Sequence, residues 1–145
     1  MNYLLDTNII SQLARKKGDS KVIEWILSHK NASLYLSCLT IGEIKTGILR
    51  LQKKDIKAAQ SLQIWLDGLL NGYRDQILTI DLEVCEVWAQ LMNIDSSNGI
   101  DSLIAAQAIT RNMILVTRNI KHFKMFNVKL LNPFEDQSIN SVDSN

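Results

Sequence analysis

Apolar residues fall into two kinds of run along this chain. Short, mostly unbroken runs occupy 3–5, 33–39, 76–80, 113–116 and 128–131. Between them lie longer stretches in which apolar positions recur every three or four residues. The first kind suits strands buried on both faces of a parallel sheet, and the second suits helices packed against it. The helical pattern predicts a short helix over 8–15, with Ile9, Ile10 and Leu13 inward, and a second over 21–29 capped by Ser20. A third runs from Thr40 through Ile44, Ile48 and Leu51. A fourth, over 56–70, is capped by Asp55, closed by Asn71-Gly72, and carries the stripe Ile56, Ala59, Leu62, Leu66, Leu69 and Leu70. Asp81 caps a fifth over 82–92. The helix opening at Asp101 is apolar on nearly every side and is expected to be buried.

Strands alternating with helices predict an α/β fold of three layers, a central parallel sheet of about five strands flanked by helices. The connections then bring every strand's carboxyl end to one edge of the sheet. One domain is expected over 1–134, closed by Pro133. The polar stretch 135–145 has no periodicity and is expected to be a frayed tail.

Composition narrows the function classes. At 145 residues and 46% hydrophobic, the chain suits one domain with a core of its own. No apolar run approaches the roughly 18 residues of a spanning helix. Asp6 and Asn8 interrupt the apolar start, so no signal peptide is expected and the location is expected to be cytoplasmic, with no membrane partner. Cys38 and Cys85, far apart, are expected to be buried reduced thiols. With only His29 and His122 besides, a zinc site or a Ser-His-Asp hydrolase has poor material. Net charge is +1, against a protein that grips nucleic acid by bulk charge. Local basic clusters, such as Arg118 with Lys121, His122 and Lys124, permit an RNA substrate without demanding one.

The chemistry sits where the apolar runs stop. Tyr3-Leu4-Leu5 runs directly into Asp6, placing a carboxylate at a strand's carboxyl end, the edge where open α/β sheets bind ligands. Asn119 follows the fourth strand in the same way, and Glu43 follows the second. Thr40 and Glu43 have capping-box spacing, so Glu43 has a purely structural reading as the lock of a helix start. Asp101 has one too, as an acid favoured by the helix dipole, although it opens a buried segment where an unpartnered charge is costly. Clustered carboxylates repel one another, and a divalent cation removes the conflict. Oxygen ligands without thiol or imidazole select Mg²⁺ or Mn²⁺, which meet substrate through phosphate and promote attack of water on a phosphodiester. Taken residue by residue, the metal site and the structural caps stand level.

Four pieces in order resemble the PIN-domain ribonucleases, and within them the VapC-like toxins: Leu4-Leu5-Asp6-Thr7-Asn8-Ile9-Ile10-Ser11, Thr40-Ile41-Gly42-Glu43-Ile44, Asp101-Ser102-Leu103-Ile104-Ala105-Ala106, and Leu115-Val116-Thr117-Arg118-Asn119 with His122-Phe123. The resemblance spans 3–134 and implies a PIN-like fold and Mg²⁺-dependent endoribonuclease activity, with Mn²⁺ as a substitute. It implies Asp6 and Asp101 as direct metal ligands and Glu43 as a ligand or orienter of water. Asn119 stands where the family often has a fourth carboxylate; an amide is neither anion nor base, which puts a second metal in doubt. Thr7, Asn8 and Thr117 are expected to hold the strand ends. The resemblance also implies a homodimer, a cellular RNA substrate with transfer RNA frequent, and a cognate antitoxin through which operator DNA is bound.

Three other readings compete. An aspartyl-nucleophile phosphatase needs a second acid two positions after the first, and Asn8 occupies that place. A non-catalytic RNA- or protein-binding module with a relic site is kept open by Asn119. A housekeeping RNA-processing nuclease is weighed against by the chain's small size.

Overall fold

The computed structural model of the chain describes residues 1–135 and the backbone of 139–141. In chain order, β1 (Tyr3–Leu5) leads into the single turn α1 (Thr7–Ile10) and a 3₁₀ turn, Ser11–Ala14, followed by α2 (Ser20–Leu27) and β2 (Leu34–Ser37). The long pair α3 (Cys38–Gln52) and α4 (Ile56–Gly72) comes next, then β3 (Ile77–Leu78) and a second helical pair, α5 (Leu82–Ile94) and α6 (Gly99–Thr110). The chain ends with β4 (Ile114–Val116), the short α7 (Ile120–Phe123), β5 (Lys129–Leu131) and β6 (Ile139–Ser141).

These strands form one sheet in the order β3-β2-β1-β4-β5-β6, parallel except at β6. The first strand made is therefore central. Tyr3 lies opposite both Leu34 and Ile114, and Leu5 opposite both Leu36 and Val116. Successive side chains of a strand point to opposite faces, and this divides the core in two. Leu5, Ile114 and Val116 pack with Ile9, Ile10, Val22, Ile44, Ile48 and Leu66 on the side of α1 to α4. Leu4 and Leu115 pack with Val84, Leu91, Ile104 and Phe123 on the side of α5 to α7. Each such fully buried aliphatic side chain contributes about 1.5–3 kcal/mol of apolar transfer. The expected three-layer architecture is thus present, with five parallel strands and a sixth antiparallel one. Helix α6 has the expected burial, six of its residues being inaccessible.

Turn chemistry sets several boundaries. Asp55 and Asp81 cap α4 and α5 as expected, accepting from the Ala58 and Val84 amides at 3.0 Å each. Asn112 takes a positive φ of 52° after α6, and the Met113 amide reaches back to the Ala108 carbonyl at 2.9 Å. That closes the helix in the way a left-handed residue permits.

Some expectations need correction. The helix expected over 8–15 relaxes into a 3₁₀ turn after Ile10. The cap of α2 is Asp19, and Ser20 is the first helical residue. Ile56 is exposed, and of the two cysteines expected to be buried Cys85 is exposed and Cys38 half-buried. The helix α7 was not foreseen. Within the stretch expected to be a tail, 135–145, the backbone of Ile139–Ser141 pairs antiparallel with β5; 136–138 and 142–145 lie outside the described residues. No helix among the described residues is long and apolar enough to cross a membrane.

Candidate active site

Chain order reverses around β1, since β2 and β3 lie on one side of it and β4 and β5 on the other. The carboxyl end of such a strand faces the crevice where open α/β sheets bind ligands, and Asp6 stands there. Its amide donates to the Val116 carbonyl at 2.9 Å, so the β1–β4 ladder continues one residue past β1. Its carboxylate is held at both oxygens. Oδ1 accepts from the Thr7 amide and Oδ2 from the Thr117 hydroxyl, each at 2.8 Å. Asn8 Nδ2 approaches Oδ2 at 3.4 Å, while Asn8 Oδ1 accepts from the Arg118 amide at 3.1 Å, tying the β1 and β4 ends together. The Arg118 guanidinium lies 4.6 Å above the Phe134 ring.

Only 5% of Asp6 is exposed. Burial pushes its carboxyl from 3.8 up to about 6; the hydrogen bonds from Thr117 and Thr7 oppose that, and the charges of Asp101 and Glu43 add to it. The charges of two carboxylates from distant parts of the sequence therefore reach Asp6 across this edge. No Lys or Arg forms an ion pair with Asp6 among the described residues.

Glu43 arrives by a different local route from the one its spacing suggests. Helix α3 begins at Cys38, because the Ser37 hydroxyl at the end of β2 accepts from the Leu39 amide at 3.1 Å. Thr40 and Glu43 consequently lie inside the helix, and Glu43 closes no helix start. The Thr7 hydroxyl lies 3.1 Å from the Thr40 hydroxyl and donates to Glu43 Oε1 at 2.7 Å. A surface glutamate is thereby steered toward the end of β1.

Asp101 is the third residue of α6, whose cap is Asn98. Asn98 Oδ1 accepts from the Asp101 amide at 3.2 Å, and Asn98 Nδ2 donates to Asp101 Oδ2 at 2.8 Å. His122 Nδ1 stands 3.5 Å from that same oxygen. The Asp101 side chain is 19% exposed, so it meets solvent while anchored by two neighbours. Asn119 begins α7 without capping it; its amide N–H donates to the Thr117 hydroxyl at 3.1 Å. It reaches Asp6 only through Thr117.

The expected residues thus occupy one edge, with Asp6 nearly sealed, Glu43 and Asn119 exposed, and Asp101 between. Asn98 and His122 were not foreseen as partners of Asp101. The Asn-x-x-Asp spacing carried the signal for Asn98, whereas His122 is distant in sequence. Among the described residues no three of the His, Cys, Asp or Glu side chains converge tightly enough to encircle an ion unaided. Water would have to complete the shell of any cation held here. Mg²⁺ keeps several waters and binds through one or two carboxylates, and a buried carboxylate facing two others without a basic partner fits such an ion.

Comparison with known proteins agrees with this geometry. The family model described as PIN domain matches residues 3–126. The VapC ribonuclease Y4jK of Sinorhizobium fredii is 30% identical over 91% of this chain and 97% of its own length. Toxin FitB of Neisseria gonorrhoeae is 29% identical over 92% of this chain and 99% of its own. The crystal structure of FitAcB from Neisseria gonorrhoeae superposes with a TM-score of 0.86 at 28% identity, covering 92% of this chain and 99% of that one. FitAB bound to an IR36 DNA fragment does so at 0.80 and 28% identity, over 94% and 98%. A match across most of the sequence, a parallel sheet flanked by helices as expected, and acids gathered at the end of its central strand leave one conclusion: the chain belongs to the PIN domain family.

Proposed function

We propose that this chain is the ribonuclease of a toxin–antitoxin pair, a metal-dependent endonuclease hydrolysing RNA phosphodiester bonds. The observation that carries the reading is Asp6, a desolvated carboxylate at the switch point of the sheet, under the charges of Asp101 and Glu43. Similarity over nearly full length to a protein named VapC ribonuclease and to one named toxin supports it.

In this reading Asp6 and Asp101 hold Mg²⁺, with Mn²⁺ able to replace it, and Glu43 completes the acidic set. When bound, the cation offsets the repulsion among the acids and supplies Lewis acidity at the phosphodiester. The chain's own groups set the stage. Thr117 and Thr7 fix both oxygens of Asp6, so its orientation is settled before substrate arrives. Thr7 aims Glu43 at the same edge, where a carboxylate orients the attacking water and accepts its proton. Asn119, neutral and exposed, offers its amide to substrate or solvent. Basic residues of the β4–α7 segment, Arg118, Lys121 and Lys124, meet the RNA backbone.

The partners follow from the relatives. FitAB is described bound to DNA; by analogy this chain pairs with an antitoxin that covers the acidic edge and carries the pair to operator DNA. We assign it a homodimeric state, a cytoplasmic location and a structured cellular RNA such as transfer RNA as substrate.

The test is cleavage of purified transfer RNA with Mg²⁺, followed by sequencing of the new ends. Discrete ends that vanish with EDTA and with Asp101→Asn are expected. Identical ends from the Asp101→Asn protein would refute the assignment.

A further inference from the structure

Beside Asp101 lies a cavity of about 150 Å³, framed by the segment after α5 on one side and by α7 with the residues following it on the other. Asp95, Ser97 and Asn98 form its polar wall, and His122, Met125 and Phe126 its apolar one. Two of these residues, Asn98 and His122, are the ones that touch Asp101 Oδ2. The cavity and the acidic site therefore share a wall.

We propose that this cavity receives the guanine base of a nucleotide adjoining the scissile phosphate. The inference rests on the ribonuclease reading above and names a substrate feature for it. Four observations lead there. The space holds one flat heterocycle, too small for a duplex or a folded peptide segment. Met125 is 44% exposed and His122 Nδ1 stands 3.5 Å from Asp101 Oδ2, so a thioether and an imidazole offer faces for an unstacked base above the buried Phe126. Lys121 lines the same space and supplies a cation for the backbone of the entering nucleotide. Finally, Asp95 lines it with a carboxylate: the Ser97 amide donates to Asp95 Oδ1 at 2.9 Å, and the hydrogen bonds from Ser97 hold the carboxyl below the usual carboxylate range. A carboxylate that only accepts pairs best with two adjacent donors. Guanine presents them, N1–H and the N2 amino group, whereas uracil flanks its single N–H with two carbonyls.

The measurement is fluorescence anisotropy with single-stranded RNA oligonucleotides carrying one guanosine, or inosine or an abasic residue in its place. The protein is the full chain with Asp6→Asn, which keeps the RNA intact. A partner set adds Asp95→Asn or Met125→Trp, with circular dichroism confirming that each variant folds. Guanosine RNA is expected to bind about tenfold tighter than inosine RNA, the lower range of a bidentate base contact. Asp95→Asn should erase that difference, and Met125→Trp, by filling the space, should reduce guanosine RNA to the level of abasic RNA. Equal binding of guanosine and abasic RNA, or an unchanged preference in both cavity variants, overturns the proposal. So do cavity variants that weaken the antitoxin while leaving RNA binding alone, since the occupant is then protein. If the guanine preference holds but the unsubstituted chain cuts no RNA, the cavity stands and the ribonuclease reading is what fails.

Discussion

The Thr117 hydroxyl donates to Asp6 Oδ2 at 2.8 Å, across 111 positions of sequence and wholly inside the protein. It also accepts from the Asn119 amide. One small side chain thus joins the ends of two neighbouring strands and turns a buried charge toward the acidic edge. Replacing it tests the whole arrangement. Thr117→Val should cost about 1–3 kcal/mol, since it strips a buried carboxylate and an amide of a partner. Because this hydrogen bond lowers the Asp6 pKa, its loss should move the acid limb of the pH–rate profile upward, and Thr117→Ser should restore it. An unmoved limb in Thr117→Val would separate Asp6 from the rate.

Asp6 itself sets a trade between stability and activity. Its folded carboxyl titrates at about 6 against 3.8 for the free group. Between those values the folded chain holds more protons than the unfolded one, so stability falls as pH rises through the window. The stabilisation is complete below 3.8 and lost above about 6, a difference on the order of 3 kcal/mol. Thermal melts of the metal-free protein should show it, and added Mg²⁺ should raise the midpoint more above the window than below it. Asp6→Asn should flatten the pH dependence and raise the midpoint near neutrality. It should also lower RNA cleavage on the order of a thousandfold.

Glu43 and Thr7 form a pair whose parts separate cleanly. Glu43→Gln keeps an oxygen for the Thr7 hydroxyl but removes the charge that acts on Asp6. Cleavage should fall roughly a hundredfold or more, in the range of a lost general base, with little change in melting. Thr7→Val leaves the charge but frees the side chain, and a smaller loss of about tenfold should follow from misplacement alone. Steady-state cleavage of one RNA by the two variants checks the order; the reverse order would make Glu43 a structural group.

Asn119 marks where a carboxylate is absent from the edge. Asn119→Asp should increase the repulsion on Asp6 and raise affinity for Mg²⁺, measured by calorimetry, about tenfold, because ligand charge tunes such sites. Asn119→Ala should alter stability by no more than about 0.5 kcal/mol, since the exposed amide holds no helix start.

Sequence alone was a good guide where one physical signal dominated. Leu4 and Leu5 before Asp6, and Leu115 and Val116 before Thr117, announced buried strands ending in polar groups; that the two strands pair side by side was not legible in them. Asp55 and Asp81 announced their helices because capping is local. Glu43 was harder. Its spacing from Thr40 imitates a capping box, and the Ser37 cap that displaces that reading lies outside the pattern. The contacts of Asp101 with His122, and of Thr117 with Asp6, are invisible because only the closed sheet brings them together. Ile139–Ser141 was read as tail for a similar reason: an edge strand of three residues takes its order from the neighbour it pairs with.

The place of β1 in the sheet has a consequence for the chain's birth. Made well before β4, it remains open on that side until residues 114–116 have left the ribosome. At ordinary elongation rates that interval lasts on the order of ten seconds. Throughout it Asp6 lacks Thr117, and for most of it Asp101 as well, so a half-made chain has no working edge. Any harm this protein does inside the cell that makes it begins only after residues 114–117 are out, and a partner already present has that long to find the chain.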